Sequence, residues 1–276
     1  MGSTVPRFAP PYDPDALDAA VRDRGAAVLE AAYPPELCST FLGQVAAHLA
    51  AHPEEGEYAA RSVLGGFQGD TTATLHALVG VLDCAPELVL QRDIVDCARR
   101  VLRPLSDTVL LTIAEYMARR PGAHRQELHR DTFSWRHFPQ GEDPIALTVM
   151  AAMSDFTAAN GATWVVPDSH GGPATDPAPD WSAAHQVELA AGDALLFRAD
   201  TFHAGGANTT DDQTRHIFSM GLQVGWLRQV ENGTLSVPPA RAHGLDPELL
   251  ELLGYSHELV LGLYKGGHPR HALAGS

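Results

Sequence analysis

The sequence predicts a mainly β fold, an antiparallel sandwich or barrel, with helices flanking it on the N-terminal side. Three observations carry this. Downstream of Pro104 the chain reads as a series of short β-branched or apolar runs separated by Gly, Asn, Asp and Pro turns. No helix of convincing length interrupts those runs, which argues against the strand and helix alternation of a parallel α/β sheet. Upstream of Pro104, apolar residues recur at helical spacing instead.

Taken in order, Asp13 is a good N-cap and Pro14 a tolerated first residue, so Pro14 to Arg22 reads as a helix. Ala26 to Leu29 reads as a strand. A second helix starts at Pro34-Pro35-Glu36 and runs through Cys38, Phe41, Val45 and Leu49. His52 to Asp70 has no clear period and reads as loop; its Arg61, Phe67 and Gln68 are more simply surface or packing residues than pocket residues. Thr71 to Val81 carries weak helical period. Pro86 opens a better helix with Leu90, Ile94, Cys97 and Val101 on one stripe, and Pro104 ends it. Thr108 to Met117 is a strand in which Thr112, Ala114 and Tyr116 alternate with Leu111, Ile113 and Glu115. Pro121-Gly122 then turns the chain into a further strand, Glu127 to Trp135.

Ala146 to Met153 is the next strand, and the Asn160-Gly161 turn leads to Ala162 to Val166. Pro167-Asp168-Ser169-His170 closes that strand, and Gly171 to Ser182 is a surface excursion. His185 to Leu189 is a short strand, Ala191-Gly192-Asp193 turns, and Ala194 to Phe197 pairs back. Arg215 to Val224 is the last clear strand, with Arg215, Ile217, Ser219, Gly221 and Gln223 on one face and His216, Phe218, Met220, Leu222 and Val224 on the other. A helix near Pro247 to Leu253 and a Gly/His/Pro-rich tail, Gly266 to Ser276, follow; the tail is expected to fray or cap the barrel. There is no repeat and no linker. One domain over 1–276 is expected, with a mostly helical flank (1–104), a β core (105–227) and a C-terminal helix and tail (228–276).

The formal charge of −15 repels phosphate backbones, and no basic cluster relieves it, so nucleic acid is excluded as a partner. No apolar run approaches the roughly 18 residues needed to cross a bilayer, and Met1 to Arg7 lacks the apolar core of a secretory signal. Cys38, Cys84 and Cys97 are too scattered for a disulfide framework. These points predict a protein of the reducing cytoplasm that keeps off membranes.

His129 and Asp131 are two residues apart, so in an extended strand both reach one metal ion. A lone His-x-Asp is common by chance, but His203 supplies a third ligand and Arg215 follows twelve residues later. Two imidazoles and one carboxylate on one face of a metal leave the opposite positions open, which is the ligand set of non-haem Fe(II) oxygenases. The arginine suits the far carboxylate of a chelating keto acid, beside the Ser219 hydroxyl on its own strand face.

Three ordered motifs resemble those of the phytanoyl-CoA dioxygenase family: Gln126 to Asp131, Asn160 to Thr163 with Pro167 to His170, and His203 to Asn208 with Arg215. The resemblance runs roughly from Val28 to the C-terminal helix. It implies a double-stranded β-helix and an enzyme dependent on Fe(II), 2-oxoglutarate and O2. It also implies His129, Asp131 and His203 as iron ligands, Arg215 as the partner of 2-oxoglutarate, and Gln126 and Thr163 as residues that help hold it. Trp226 to Asn232, Val237-Pro238-Pro239 and Leu253-Gly254-Tyr255 are similar to the branch that tailors secondary metabolites. Asp168 stands where the family has glycine, which puts the shape of that loop in question.

The implied reaction oxidises a C–H bond of a small organic substrate by hydroxylation, desaturation, epoxidation or rearrangement, with release of succinate and CO2. Phe133, Trp135, Phe138, Met150 and Phe202 suit an apolar substrate pocket, although a β core of this size also needs such residues for packing. A halogenase is disfavoured because Asp131 fills the halide position. A cupin-like metal-dependent isomerase or hydrolase, and a non-catalytic small-molecule-binding barrel, stand as alternatives. A homodimer is the assembly admitted.

Overall fold

The strand expected over Arg215–Val224 (β10) forms as such, and every side chain on it except the partly exposed His216 is buried. Phe218, Met220, Leu222 and Val224 pack against the helices, while Ile217 points into a second core on the opposite side. Alternation therefore sorts the strand into two buried faces. The structure, a computed structural model, describes residues 4–56, 71–138 and 141–273.

Two sheets stack around that second core. The larger has seven strands in the order β1-β2-β8-β5-β10-β4-β3: Arg7–Phe8, Ala26–Leu29, Ala194–Arg198, Ala146–Ala152, β10, Val109–Arg119 and Thr72–Leu75. All its pairs are antiparallel except β1 with β2. The smaller has three strands in the order β7-β6-β9: His185–Val187, Thr163–Val165 and His203–Ala204. Val165, Val187 and Leu189 from the smaller sheet's side pack with Val28, Leu195, Phe197 and Ile217 from the larger. Among the described residues the mainly β fold is present as two facing sheets, without a closed ring of strands.

Three helices cover the outer face of the large sheet: α1 (Pro14–Arg24), α2 (Pro35–Ala51) and α6 (Arg92–Leu102), with Leu17, Val21, Phe41, Val45, Ile94, Val101 and Leu102 in one core with β10. Asp13 caps α1 through its side chain, and Gly25 ends it at φ 75°, where a Cβ would be strained. Among the described residues between α2 and α6 lie the short helices α3 (Pro53–Gly56), α4 (Leu78–Val81) and α5 (Ala85–Val89).

Four expectations need correction. Thr71–Val81 is a strand followed by α4, because Thr72 to Leu75 pair with the edge of β4 and all four side chains are buried, leaving no alternation to read. The helix expected from Pro86 is two helices, since the Gln91 side chain accepts from Ile94 N and starts α6 afresh; Leu90 lies outside its stripe. Ala194–Phe197 does not pair back onto His185–Leu189. Gly192 at φ 95° and the Asp193 carboxylate, which accepts from Ala31 N and Ala190 N, carry the chain across to the large sheet instead. The tail is docked as far as Leu273, where Arg270 donates to Pro247 O at 2.8 Å and pairs with Glu251 on the helix Pro247–Leu252. Arg61, Phe67 and Gln68 lie outside the described residues. Cys38, Cys84 and Cys97 are buried thiols, and among the described residues no helix is long and apolar enough to cross a membrane.

Candidate active site

His129 and His203 are brought together by backbone, before any side chain acts. His129 N donates to His203 O at 2.9 Å and His203 N donates to His129 O at 3.0 Å, an isolated antiparallel bridge. Their rings then lie 4.3 Å apart between centroids. The expected strand through Glu127–Trp135 is therefore a single bridge, and from Asp131 the chain coils into a 3-10 turn, Asp131–Trp135. That turn still brings the carboxylate to the imidazoles: Asp131 Oδ1 is 3.4 Å from His203 Nε2 and 3.9 Å from His129 Nε2. Ligand atoms of all three residues lie within 4.8 Å of one another.

The second nitrogen of each ring is already committed. His129 Nδ1 donates to Glu127 O at 2.8 Å and His203 Nδ1 to Thr201 O at 3.0 Å, which fixes the tautomer that turns the Nε2 lone pair toward Asp131. Thr148 Oγ1 donates to Asp131 Oδ2 at 2.6 Å, leaving Oδ1 as the ligating oxygen. Burial would raise the Asp131 carboxyl, but His203, His129 and the Thr148 hydroxyl hold it well below the usual carboxylate range. Burial and the neighbouring His203 push His129 down to about 4, so it stays neutral and able to ligate. His203 opposes burial with its contact to Asp131 and is raised. The donor set suits a divalent metal of the first transition row.

A cavity of about 180 Å3 opens beside these ligands. Arg215 and Arg119 close one end of it, facing each other in the register of β10 and β4. Arg215 Nη1 donates to Gly161 O and, at 3.5 Å, to Thr163 Oγ1, and its guanidinium lies 4.6 Å from the Phe156 ring. Arg119 donates to His124 O and Gly206 O. Each arginine keeps a buried Nε without a partner. Burial pushes Arg119 down to about 10, and burial together with Arg119 lowers Arg215 well below its ordinary value. Gln126 and Thr163 line the same end, with Gln126 Oε1 accepting from Gly205 N at 2.7 Å. A Cβ on Gly205 would meet that oxygen at 2.7 Å, and one on Gly206 would meet Ala162 O at 2.5 Å, so the paired glycines let the backbone pass under the arginines.

The structure sorts the expected pocket residues. Trp135, Met150 and Ser219 line the cavity. Phe133, Phe138 and Phe202 do not: the 3-10 turn points Ser134 and Trp135 inward and leaves Phe133 57% exposed, Phe138 packs on Trp226, and Phe202 is buried beneath the Arg130 guanidinium. Arg119, Glu115 and Thr148 were not singled out as site residues. Arg119 and Glu115 did carry a signal, because both fall on the Ile113, Glu115, Met117, Arg119 face of β4, charged positions in an otherwise apolar strand. Asp168 sits at φ 62°, the left-handed region that suits the glycine expected there from the resemblance, and its side chain meets Arg24 Nε at 2.9 Å.

Comparison with known proteins gives the family and the fold. A sequence profile described as phytanoyl-CoA dioxygenase (PhyH) matches residues 21–217. The chain is 33% identical over 167 residues to dioxygenase swnH1 of Metarhizium robertsii, covering 55% of this chain and 52% of that protein. It is 32% identical over 151 residues to dioxygenase peniF of Penicillium patulum, covering 51% and 48%. The chain thus spans about half the length of these curated relatives. Among solved structures, the non-heme alpha ketoglutarate dependent carbocyclase SnoK of nogalamycin biosynthesis superposes with a TM-score of 0.63 at 19% identity, over 84% of this chain and 93% of that one. The epimerase SnoN, solved with Fe3+, alpha ketoglutarate and nogalamycin RO, gives 0.60 at 21% identity, over 79% and 86%. At such identities the likeness is one of fold.

Proposed function

The chain belongs to the phytanoyl-CoA dioxygenase family, and from that membership and the site geometry we propose that it is an Fe(II)- and 2-oxoglutarate-dependent dioxygenase. It oxidises a C–H bond of a small organic substrate, a secondary metabolite, with release of succinate and CO2. In this reading the two facing sheets are the major and minor sheets of a double-stranded β-helix.

The observation that carries the proposal is the pair of buried arginines, each with an unpartnered Nε, at the end of the cavity that also holds the His129, Asp131 and His203 ligand atoms. Burying an unpaired charge is costly, and a dianion that chelates a metal through one end and meets guanidinium through the other offsets that cost. Bound Fe(II) with 2-oxoglutarate would supply the O2-dependent oxidation. His129, Asp131 and His203 would hold the metal, and Thr148 would keep Asp131 oriented. Arg215 would take the far carboxylate with its planar donors, Thr163 and Gln126 would border the co-substrate, and the apolar walls formed by Ile113, Trp135, Met150 and Ile217 would exclude water from the reacting bond. A hydrolase or isomerase using the same three ligands gives the arginine pair no anion to meet, and the relatives named as dioxygenases favour the oxidative reading.

Anaerobic titration with Fe(II) and then 2-oxoglutarate tests this. A weak visible charge-transfer band is expected, lost on replacing Asp131 with Ala. If calorimetry detects Fe(II) binding at one site per chain and no 2-oxoglutarate binding follows, the assignment is wrong.

A further inference from the structure

Among the described residues, Glu115 is the pocket-lining carboxylate that the metal site leaves unused. It lies on β4 directly opposite Ser219 of β10, on the strand face that also presents Ile113, Met117 and Arg119 to the cavity. The residue is 8% exposed, and its Oε2 is buried without a hydrogen-bond partner. His76 Nδ1, from the segment after β3, stands 3.5 Å from that oxygen and does not form a hydrogen bond with it. The other charged neighbours are also acidic: Asp131 across the pocket, and Glu231 on the segment that crosses β4 by donating its backbone N to Thr112 O. No lysine or arginine pairs with Glu115 among the described residues.

A buried carboxyl in this position has few stabilising arrangements. Evolution of a pocket floor by packing alone would place an aliphatic side chain here, as at Ile113 and Met117 on the same face. Glu115 stands here instead, its carboxyl pushed up to about 8 by burial, Glu231 and Asp131. The cavity is charge-polarised, with two guanidiniums at one end and this carboxyl two and four residues away from Met117 and Arg119 along β4. Around it the walls are apolar: Ile113, Trp135, Met150 and Val230.

We propose that Glu115 is the substrate-recognition residue of this pocket and that it selects a compact apolar substrate carrying a basic nitrogen, whose ammonium supplies the cation that the site lacks. The proposal rests on the dioxygenase reading only for the identity of the neighbouring metal site. A carboxylate and an ammonium brought together away from bulk water make a charge-assisted hydrogen bond stronger than a neutral one. The chain's charge of −15 also favours the approach of cations over anions. A phosphate- or CoA-bearing substrate is disfavoured at this end by the same carboxylates.

The test uses two probes of matched shape, 4-phenylpiperidine and 4-phenyltetrahydropyran, which place a secondary ammonium or an ether oxygen at the same position. Each is titrated by calorimetry into anaerobic protein loaded with Fe(II) and 2-oxoglutarate, for the wild type and for Glu115→Gln. The expected result is that the amine binds at least about tenfold more tightly than the ether to the wild type, roughly 1.4 kcal/mol, and that Glu115→Gln reduces the ratio to about twofold or less. Equal affinities in the wild type, a preference that survives Glu115→Gln, or no binding of either probe at millimolar concentration would each overturn the proposal. Loading is read separately from the visible absorption of the Fe(II) and 2-oxoglutarate complex. Absence of that band from the wild type therefore counts against the dioxygenase reading, while the probe ratio reports on Glu115.

Discussion

Arg215 and Arg119 face each other across the β10 and β4 pair with both side chains buried, and neither meets a carboxylate among the described residues. Two like charges so placed repel, which is why each drags the balance toward an anion. Arg215→Lys keeps the charge but loses the planar fork, so it is expected to raise the KM for 2-oxoglutarate by about tenfold, with iron affinity little changed. Arg119→Met is expected to raise it less, because Arg119 is also held by two backbone carbonyls. Succinate formed against 2-oxoglutarate concentration at saturating iron measures both. An unchanged KM in both variants would assign the far carboxylate to another group.

His129→Ala, Asp131→Ala and His203→Ala are each expected to abolish turnover with the fold retained, since each removes one of three ligands. Thr148→Val is the sharper variant. It leaves all three ligands and removes only the hydroxyl that orients Asp131, so iron affinity is expected to fall about tenfold while the melting temperature of the metal-free protein stays within a few degrees. Competition with a chelator reads the affinity. An affinity equal to wild type would show that Asp131 is positioned by its backbone alone.

Glu115 makes stability depend on pH in a defined direction. Its folded value is raised from 4.5 to about 8, so between those limits the native state holds a proton that the unfolded chain has released. That contribution is whole below about pH 4.5 and is lost as pH rises through 8, at up to about 1.4 kcal/mol per pH unit. Denaturant melts of metal-free wild type and Glu115→Gln at pH 5 to 8 isolate the effect as a difference, and the variant is expected to lose stability less steeply. Parallel curves would mean that Glu115 is ionised in the native state.

Asp168 occupies a left-handed position at φ 62° with a half-exposed ion pair to Arg24. Such pairs contribute little, and aspartate tolerates this backbone better than most residues. Asp168→Gly is therefore expected to leave stability within about 0.5 kcal/mol, whereas Asp168→Val, branched at Cβ, is expected to cost about 1–2 kcal/mol. Thermal melts decide it, and a tolerated valine would show that the loop relaxes to another conformation.

Residues whose chemistry repeats a spacing were legible in the sequence: the ligands His129, Asp131 and His203, the two faces of β10, and the start of α1 at Asp13. Misreadings arose where burial erased the pattern. Thr72 to Leu75 are buried on both faces and show no alternation, so strand and helix look alike. The destination of Ala194–Phe197 depends on Asp193 meeting Ala31, a contact between distant parts of the chain that no local spacing reveals. Phe133, Phe138 and Phe202 share one chemistry with Trp135, and only the 3-10 turn at Asp131 decides which of them faces the cavity. Arg119 was legible in principle, as a charge continuing the Ile113 and Glu115 face, but its importance came from the strand opposite.

The reciprocal hydrogen bonds between His129 and His203 join segments that lie far apart in the chain, with β5 to β8 folding between them. The ligand pair cannot exist in any partly folded chain that lacks this pairing, so closing a long loop precedes metal capture. The metal is then a clasp on a late contact. Both amides should exchange with solvent through the same opening event, at nearly equal rates in the metal-free protein, and loading with Fe(II) should slow the two together. Iron starvation would show itself first as a local unfastening of this seam, with the helix-covered core behind β10 still closed.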